Sequence, residues 1–151
     1  NIKKVILPDT VKVIEQNAFV RCSLNYIRMP RRLKELGSYA FYSSALKKIT
    51  VYGKVELGET FKYCKKLKTV VLKEGVKELG ELVFHQCPKL RSVTVPKSVK
   101  SLVCIYDNIF YYRGLKCNLS KLTIKTPKNS EMYRYRKFWK KQYKIKVKVI
   151  K

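Results

Sequence analysis

Acidic side chains are scarce: ten Asp and Glu stand against 35 Lys and Arg, a formal net charge of +25. A surface so one-sided attracts polyanions whatever else it does. Histidine is nearly absent too. Nucleophile-and-base catalysis needs a base to activate a serine or cysteine, and His85 stands alone. Its slot is filled in other segments by Val20, Tyr42 and Lys62, so it reads as a solvated surface position. In the two middle coils Glu56, Glu59, Glu74, Glu78 and Glu81 sit near turns, where charge is most simply solubilising, and no pair stands out as a hydrolytic dyad. Glycine-rich phosphate loops are missing, since each glycine is isolated. Metal coordination is disfavoured because no two cysteines are closely spaced. No apolar run approaches the roughly 20 residues a membrane helix requires. These absences point away from an enzyme, a cofactor, a metal and a membrane span.

What is present is a regular pattern. The 151 residues are 46% hydrophobic and 30% charged, which fits one folded domain. Aligned on itself, the chain gives IKKVILPDTVKVIEQNAFVRCS, LNYIRMPRRLKELGSYAFYSSA, LKKITVYGKVELGETFKYCKK, LKTVVLKEGVKELGELVFHQCPK and LRSVTVPKSVKSLV. The leaders Ile2, Leu24, Leu46, Leu67 and Leu90 are 22, 22, 21 and 23 positions apart. A sixth, degenerate unit starts at Leu119, with Leu122 and Ile124 at the matching offsets. Apolar residues three and five places after each leader, such as Val5 and Leu7 or Ile49 and Val51, have the period of a short strand with one face inward. Pro8, Pro30 and Pro96 end such strands. A second apolar pair follows, as in Leu33 with Leu36. Gly37, Gly58 and Gly80 then turn the chain toward Phe41, Phe61 and Phe84. The stretch from glycine to cysteine holds no more than about one helical turn. One such unit cannot bury its apolar face alone, whereas stacked units share a continuous core.

These segments resemble the BspA-type leucine-rich repeat, whose unit reads approximately LKxIxLPxxVxxIGxxAFxxCxx. The resemblance runs from Ile2 to about Leu102, and the last segment, LTIKTPKNSEMYRYRKFWKKQYKIKVKVI, resembles the strand, helix and strand that close family members. It implies an α/β fold, a leucine-rich-repeat solenoid of about six coils with a parallel β-sheet, short helical turns and a C-terminal helix-strand cap. The domain is expected to span 1–151, with repeats over 1–117, an insert at 104–118, and the last degenerate repeat and cap over 119–151. No polar cap precedes Ile2, so the chain is expected to be a piece of a longer one, with an open first coil able to self-associate. The family implies a bacterial or protozoan surface or secreted protein that adheres to host or neighbouring-cell molecules. Ser44 in a cysteine slot, Tyr52 and Lys73 in proline slots, the insert CIYDNIFYYRGLKCN and the strong positive charge depart from its pattern.

Five cysteines divide by position. Cys22, Cys64 and Cys87 occupy one slot of different coils and read as small packing residues. Cys104 and Cys117 flank the insert and are the better disulfide pair in an oxidising compartment.

Two surfaces are candidates for binding. The outward strand slots are Lys4, Tyr26, Lys48, Thr69, Ser92 and Lys121, with Ile6, Arg28, Thr50, Val71, Thr94 and Thr123 alongside; Lys4, Tyr26, Arg28 and Lys48 form an adhesive end. The second surface is the last 34 residues, which hold twelve of the basic residues and one acid, Glu131. In a helix from Ser130, Met132, Tyr135, Trp139 and Tyr143 make an apolar stripe. Arg134, Lys137 and Lys141 flank it on one side and Arg136 and Lys140 on the other, while Lys144, Lys146 and Lys148 alternate along a final strand. Arg134, Lys137, Lys141, Lys144, Lys146 and Lys148 are the expected polyanion contacts. The reading is a non-catalytic binding or adhesion module for protein or anionic glycan ligands. The alternative is an intracellular binder of nucleic acid or acidic protein.

Overall fold

The computed structural model describes residues 2–102 and 119–151; the Cys104–Cys117 pair and the insert between them lie outside the described residues. In chain order the elements are β1 (Lys4–Ile6), β2 (Val13–Ile14), β3 (Tyr26–Arg28), β4 (Glu35–Leu36), β5 (Lys48–Val51), β6 (Glu56–Leu57), β7 (Thr69–Leu72), β8 (Glu78–Leu79), β9 (Ser92–Thr94), β10 (Ser101–Leu102), a 3-10 turn at Leu119–Lys121, β11 (Thr123–Thr126), α1 (Glu131–Arg134), α2 (Arg136–Tyr143) and β12 (Lys146–Val149). All strand pairs are parallel, as they must be when each coil returns to the same side one repeat later.

The leader strands form the first side. β1 pairs with β3, and β5, β7, β9, β11 and β12 follow one another in a second sheet. Lys4 lies opposite Tyr26, Lys48 opposite Thr69, and Thr69 opposite Ser92, the register the repeat predicts. Inward leaders and strand residues such as Leu24, Ile27, Leu46, Ile49, Leu67 and Val70 are buried in one continuous core. The sixth unit departs from expectation. Thr123 lies opposite Ser92 and Lys125 opposite Thr94, so the register is two residues later, and Lys121 sits in the 3-10 turn rather than on the strand face. A shift of two keeps the same inward set, Leu122, Ile124 and Thr126, so the apolar pattern could not distinguish the two registers.

The short strands make the second side, with β2 on β4 and β6, β8 and β10 together. The third side is a stack of phenylalanines. Phe19, Phe41, Phe61 and Phe84 lie face to face, with ring centroids 5.2, 5.7 and 6.0 Å apart. The chain bends there through left-handed residues that are not glycine: Asn17, Tyr39 and Leu82 before the rings, and Arg21, Ser43, Tyr63 and Gln86 after them. Such a conformation disfavours a helix, and these stretches are hydrogen-bonded turns, not the helical turns expected. Gly37 serves another purpose, since a side chain there would meet the Gln16 backbone nitrogen at 2.3 Å.

Coil three breaks the regularity. Between Val55 and Leu57, both buried, there is one intervening residue, where Leu33 and Leu36 or Val76 and Leu79 have two. From Leu57 to Phe61 another residue is missing, which removes the left-handed residue found at Tyr39 and Leu82. Coils two and three stay joined at the phenylalanine side, where the amides of Phe41 and Ser43 donate to the carbonyls of Thr60 and Lys62, and at the corner where the Lys54 amide donates to the Leu33 carbonyl. That corner needs Gly53 at φ 93°, whose Cβ would lie 2.1 Å from the Leu33 oxygen. On the strand sides no ladder links β3 to β5 or β4 to β6. The shorter coil cannot match its neighbour's perimeter on all sides, and the mismatch opens a seam in both sheets.

At the far end the chain leaves β11 through Pro127 and enters α1, where the Ser130 hydroxyl accepts from the Tyr133 amide and bonds to Thr126 Oγ1 at 2.6 Å. The expected single helix is two, broken at Tyr135. The apolar stripe nevertheless meets the core as the spacing predicts: Met132 and Trp139 are buried, and Tyr135 and Tyr143 pack partly against it. Lys144, at φ 56°, ends α2, so the last strand begins at Lys146 and Lys144 stands outside it. β12 then pairs with β11, placing Lys146 opposite Thr123 and Lys148 opposite Lys125.

Candidate functional site

Along the strand face the structure produces two basic ends separated by a neutral middle. Lys4, Tyr26, Arg28 and Lys48 form one end, Thr69, Val71, Ser92 and Thr94 the middle, and Lys125, Lys146 and Lys148 the other end. Of the first group, Tyr26, Arg28 and Lys48 share a depression of about 270 Å³ with Thr50 and Tyr52, floored by Ile27, Met29 and Ile49. Lys4 stands over the Tyr26 ring at 5.6 Å rather than in the depression. Arg28 is held by Asp9, 3.3 Å away, in an exposed ion pair. Asp9 also accepts from the Arg31 amide at 2.9 Å, and this bond together with the nearby arginines keeps its carboxyl below the usual range.

The C-terminal basic residues are sorted by geometry. A groove of about 520 Å³ between α2 and β12 is lined by Arg136, Lys137, Lys140, Lys144 and Lys146 around Ile145 and Val147. Three of the six expected contacts, Lys137, Lys144 and Lys146, are therefore brought together. The other three, Arg134, Lys141 and Lys148, are not among its lining residues: Arg134 pairs with Glu131 at 3.2 Å, and Lys148 lies beside Lys125 on the strand face. Arg136 and Lys140, expected on the opposite flank of the stripe, line the groove as well. The signal lies in the four-residue spacing of Arg136 and Lys140, which places them on one helical face. Arg136 is positioned by the Tyr133 ring, 4.2 Å from its guanidinium, and donates to the Tyr133 carbonyl.

His85 corrects the sequence reading. It is 4% exposed, and its companions Val20, Tyr42 and Lys62 are half-buried, so the slot is interior rather than surface. Side chains there pack against the adjacent coil: the Tyr42 and Tyr63 rings are tilted at 5.3 Å and Tyr63 meets His85 edge-on at 5.4 Å. Burial, reinforced by the Lys62 charge, lowers the pKa of His85. Glu59 is also more than a solubilising charge. It accepts from the Tyr39 hydroxyl and the Lys62 ammonium; burial works to raise its pKa, but those two bonds outweigh it and the net shift is downward. Glu74 likewise ties coils together, accepting from the amides of Lys97 and Ser98 at 3.0 and 3.1 Å, the same role Asp9 plays one slot after its strand.

Cys22, Cys64 and Cys87 are thiols in the expected shared slot. Each donates to a phenylalanine carbonyl, those of Phe19, Phe41 and Phe61 respectively, and burial pushes Cys64 up to about 11. Among the described residues no group of three or more His, Cys, Asp or Glu is arranged to hold a metal, and no helix is long and apolar enough to cross a membrane. A broader depression of about 670 Å³ on the second side is lined by Glu15, Glu35, Glu56 and Glu78 with Lys34, Lys54 and Lys77. Its mixed charge gives no preference for an anion.

Parallel strands repeating once per coil over a ladder of inward leucines and valines define a leucine-rich repeat fold. The particular family follows from its own repeat model: the BspA-type leucine-rich repeat region, in six copies, matches residues 1–116 and 59–135. The chain belongs to the BspA-type leucine-rich repeat family. It is similar to the crystal structure of the T. pallidum leucine-rich repeat protein, with 26% identity over 95% of this chain and 72% of that one, at a TM-score of 0.66. A leucine-rich repeat protein from Bacteroides ovatus aligns at 20% identity and a TM-score of 0.38, over 99% of this chain and 54% of that one. No curated protein sequence matches.

Proposed function

We propose that this chain is a non-catalytic adhesion module of a surface or secreted protein, a solenoid of about six coils closed by its helix-strand end, that holds an anionic glycan or acidic protein ligand in its C-terminal groove. The observation that supports this reading is the groove itself: five cations, Arg136, Lys137, Lys140, Lys144 and Lys146, converge on an apolar floor and no carboxylate lines it. The broad depression on the second side is of mixed charge and Arg28 at the other end of the strand face is tied to Asp9, so among these three depressions an anion meets the largest number of cations here. A polymer can continue onto Lys148 and Lys125, which extend the same charge along the strand face.

The test is binding to heparin and to a DNA duplex across a salt series, with Lys137→Glu and Lys140→Glu combined as the comparison. Both residues are exposed on α2, so the fold is retained. Heparin affinity should fall about tenfold or more in the variant, and the salt dependence should become shallower because fewer counterions are released. Equal loss for heparin and DNA would reduce the groove to generic charge attraction, and tighter DNA binding would favour a nucleic-acid role. Unchanged heparin binding in the variant would remove the groove from the function.

A further inference from the structure

β12 ends its sheet, and the groove beside it is bounded by residues of both its faces. Lys146 and Lys148 are exposed on the strand face, while Ile145, Val147 and Val149 alternate with them on the inner side. A space lined by Lys146 as well as by Ile145 and Val147 reaches both faces only around an edge of the strand, and β11 occupies the opposite edge. The free edge therefore borders the open volume of about 520 Å³. Ladder alternation says which groups lie along it. The amides of Lys146 and Ile150 donate to the carbonyls of Leu122 and Thr126 on the β11 side, so Val147 and Val149, at the alternate positions, direct their amides and carbonyls the other way. No strand among the described residues pairs with β12 on that side.

The side chains give an independent observation. Val149 is 53% exposed, whereas Val51, Leu72, Val95 and Thr126, which precede it in the same inward row, are each 1% exposed or less. One more strand would cover that row. We infer that β12 takes such a strand, an extended acidic segment of a partner protein laid along the groove; this rests on the groove reading and narrows its ligand to protein. The segment's main chain pairs with Val147 and Val149, the mode in which an open sheet edge recognises an extended peptide. Its alternate side chains meet two surroundings. Those on the strand face lie beside Lys146 and Lys148, at the roughly 5 Å spacing where opposite charges on neighbouring strands attract. Those on the inner side lie over Ile145 and Val147, beneath Arg136 and Lys140 of α2. The same lysines keep out a second copy of this edge, because two β12 strands would set like charges against each other. A sulfated glycan satisfies the cations but not the backbone groups, whose two-residue repeat is that of a strand.

β12 is four residues long, about 13 Å, so a heptapeptide spans it. The experiment titrates the isotope-labelled chain with an end-blocked heptapeptide of alternating glutamate and valine, following amide resonances and hydrogen exchange. The amides of Val147 and Val149 should shift saturably and become about tenfold or more protected from exchange. Lys146→Gln combined with Lys148→Gln should weaken the peptide about fivefold, the worth of two cross-strand charge pairs. Two further peptides, N-methylated at every glutamate or at every valine, keep the charge, but each lacks the donors along one of its edges. One should bind as the parent peptide does and the other should lose binding, because an added strand pairs through a single edge. Strand addition is overturned if both methylated peptides bind equally, if a heptapeptide with lysine in place of glutamate binds as tightly, or if heparin protects the two amides to the same extent. Heparin released by the Lys137→Glu, Lys140→Glu variant, beside a peptide that leaves Val147 and Val149 unprotected, overturns strand addition and leaves the groove reading standing. Heparin and peptide binding that both ignore that variant overturn the two together.

Discussion

His85 gains its character from the rings and charges around it. Its neutral form is favoured by burial and by the Lys62 ammonium, while Glu59 pulls weakly the other way, so the folded pKa lies below the ordinary 6.5. The unfolded chain therefore binds the proton more readily, and stability must fall as pH drops below 6.5 toward the folded value, then level off below it. Denaturant midpoints measured between pH 7 and 5 should show this decline, and His85→Gln should flatten it. A decline of the same size in the variant would assign it to other groups. Glu59 acts in a lower window, below its ordinary 4.5, because its folded pKa is also depressed. Neither role was legible in the sequence: His85 meets Tyr63 and Lys62 of the preceding coil, and Glu59 accepts from Tyr39, 20 positions away, contacts that only the stacking of coils makes, whereas the Glu59–Lys62 pair is local. The packing cysteines were legible, since their slot repeats with the coil.

Among the elements, the strands repeat and the seam does not. A strand of three or four residues bonded on one edge only exchanges its amides faster than one bonded on both. β5 is bonded on its β7 side and open toward β3. Hydrogen exchange should therefore be faster at the amides of Lys48 and Thr50 than at those of Thr69 and Val71, which occupy the same slots one coil on and face β5. Equal protection would mean the two sheets close in solution. The shortened third coil is plain in the sequence as a 21-residue spacing. That it opens the strand side, and leaves the phenylalanine side closed, follows from where the missing residues fall and from the Gly53 corner that holds coil three to coil two. Helix and strand at the C-terminus were legible from their periods, while the break at Tyr135 and the left-handed Lys144 were not, because both answer to the fit of Trp139 and Ile145 against the core.

At the scale of the whole molecule the charge is unbalanced. Thirty-five basic residues against ten acidic ones are offset, among the described residues, by three ion pairs, Arg28 with Asp9, Lys62 with Glu59 and Arg134 with Glu131. Self-repulsion of this kind is screened by salt over a Debye length of about 10 Å at 0.1 M, so Tm should rise as sodium chloride increases from low to moderate concentration. A falling Tm would mean that the few ion pairs outweigh the repulsion. Sequence alone determined the coil, its inward residues, the strand register through the fifth unit and the apolar stripe on the terminal helices, because each of these is set by a local period that one unit shares with the next. Tertiary structure decided the register of the sixth unit, the seam, the interior position of His85 and the choice of Arg136 and Lys140 over Lys141 and Arg134 as groove walls. These depend on how unequal coils stack and on which flank of a helix meets the last strand, and a one-dimensional pattern carries neither quantity.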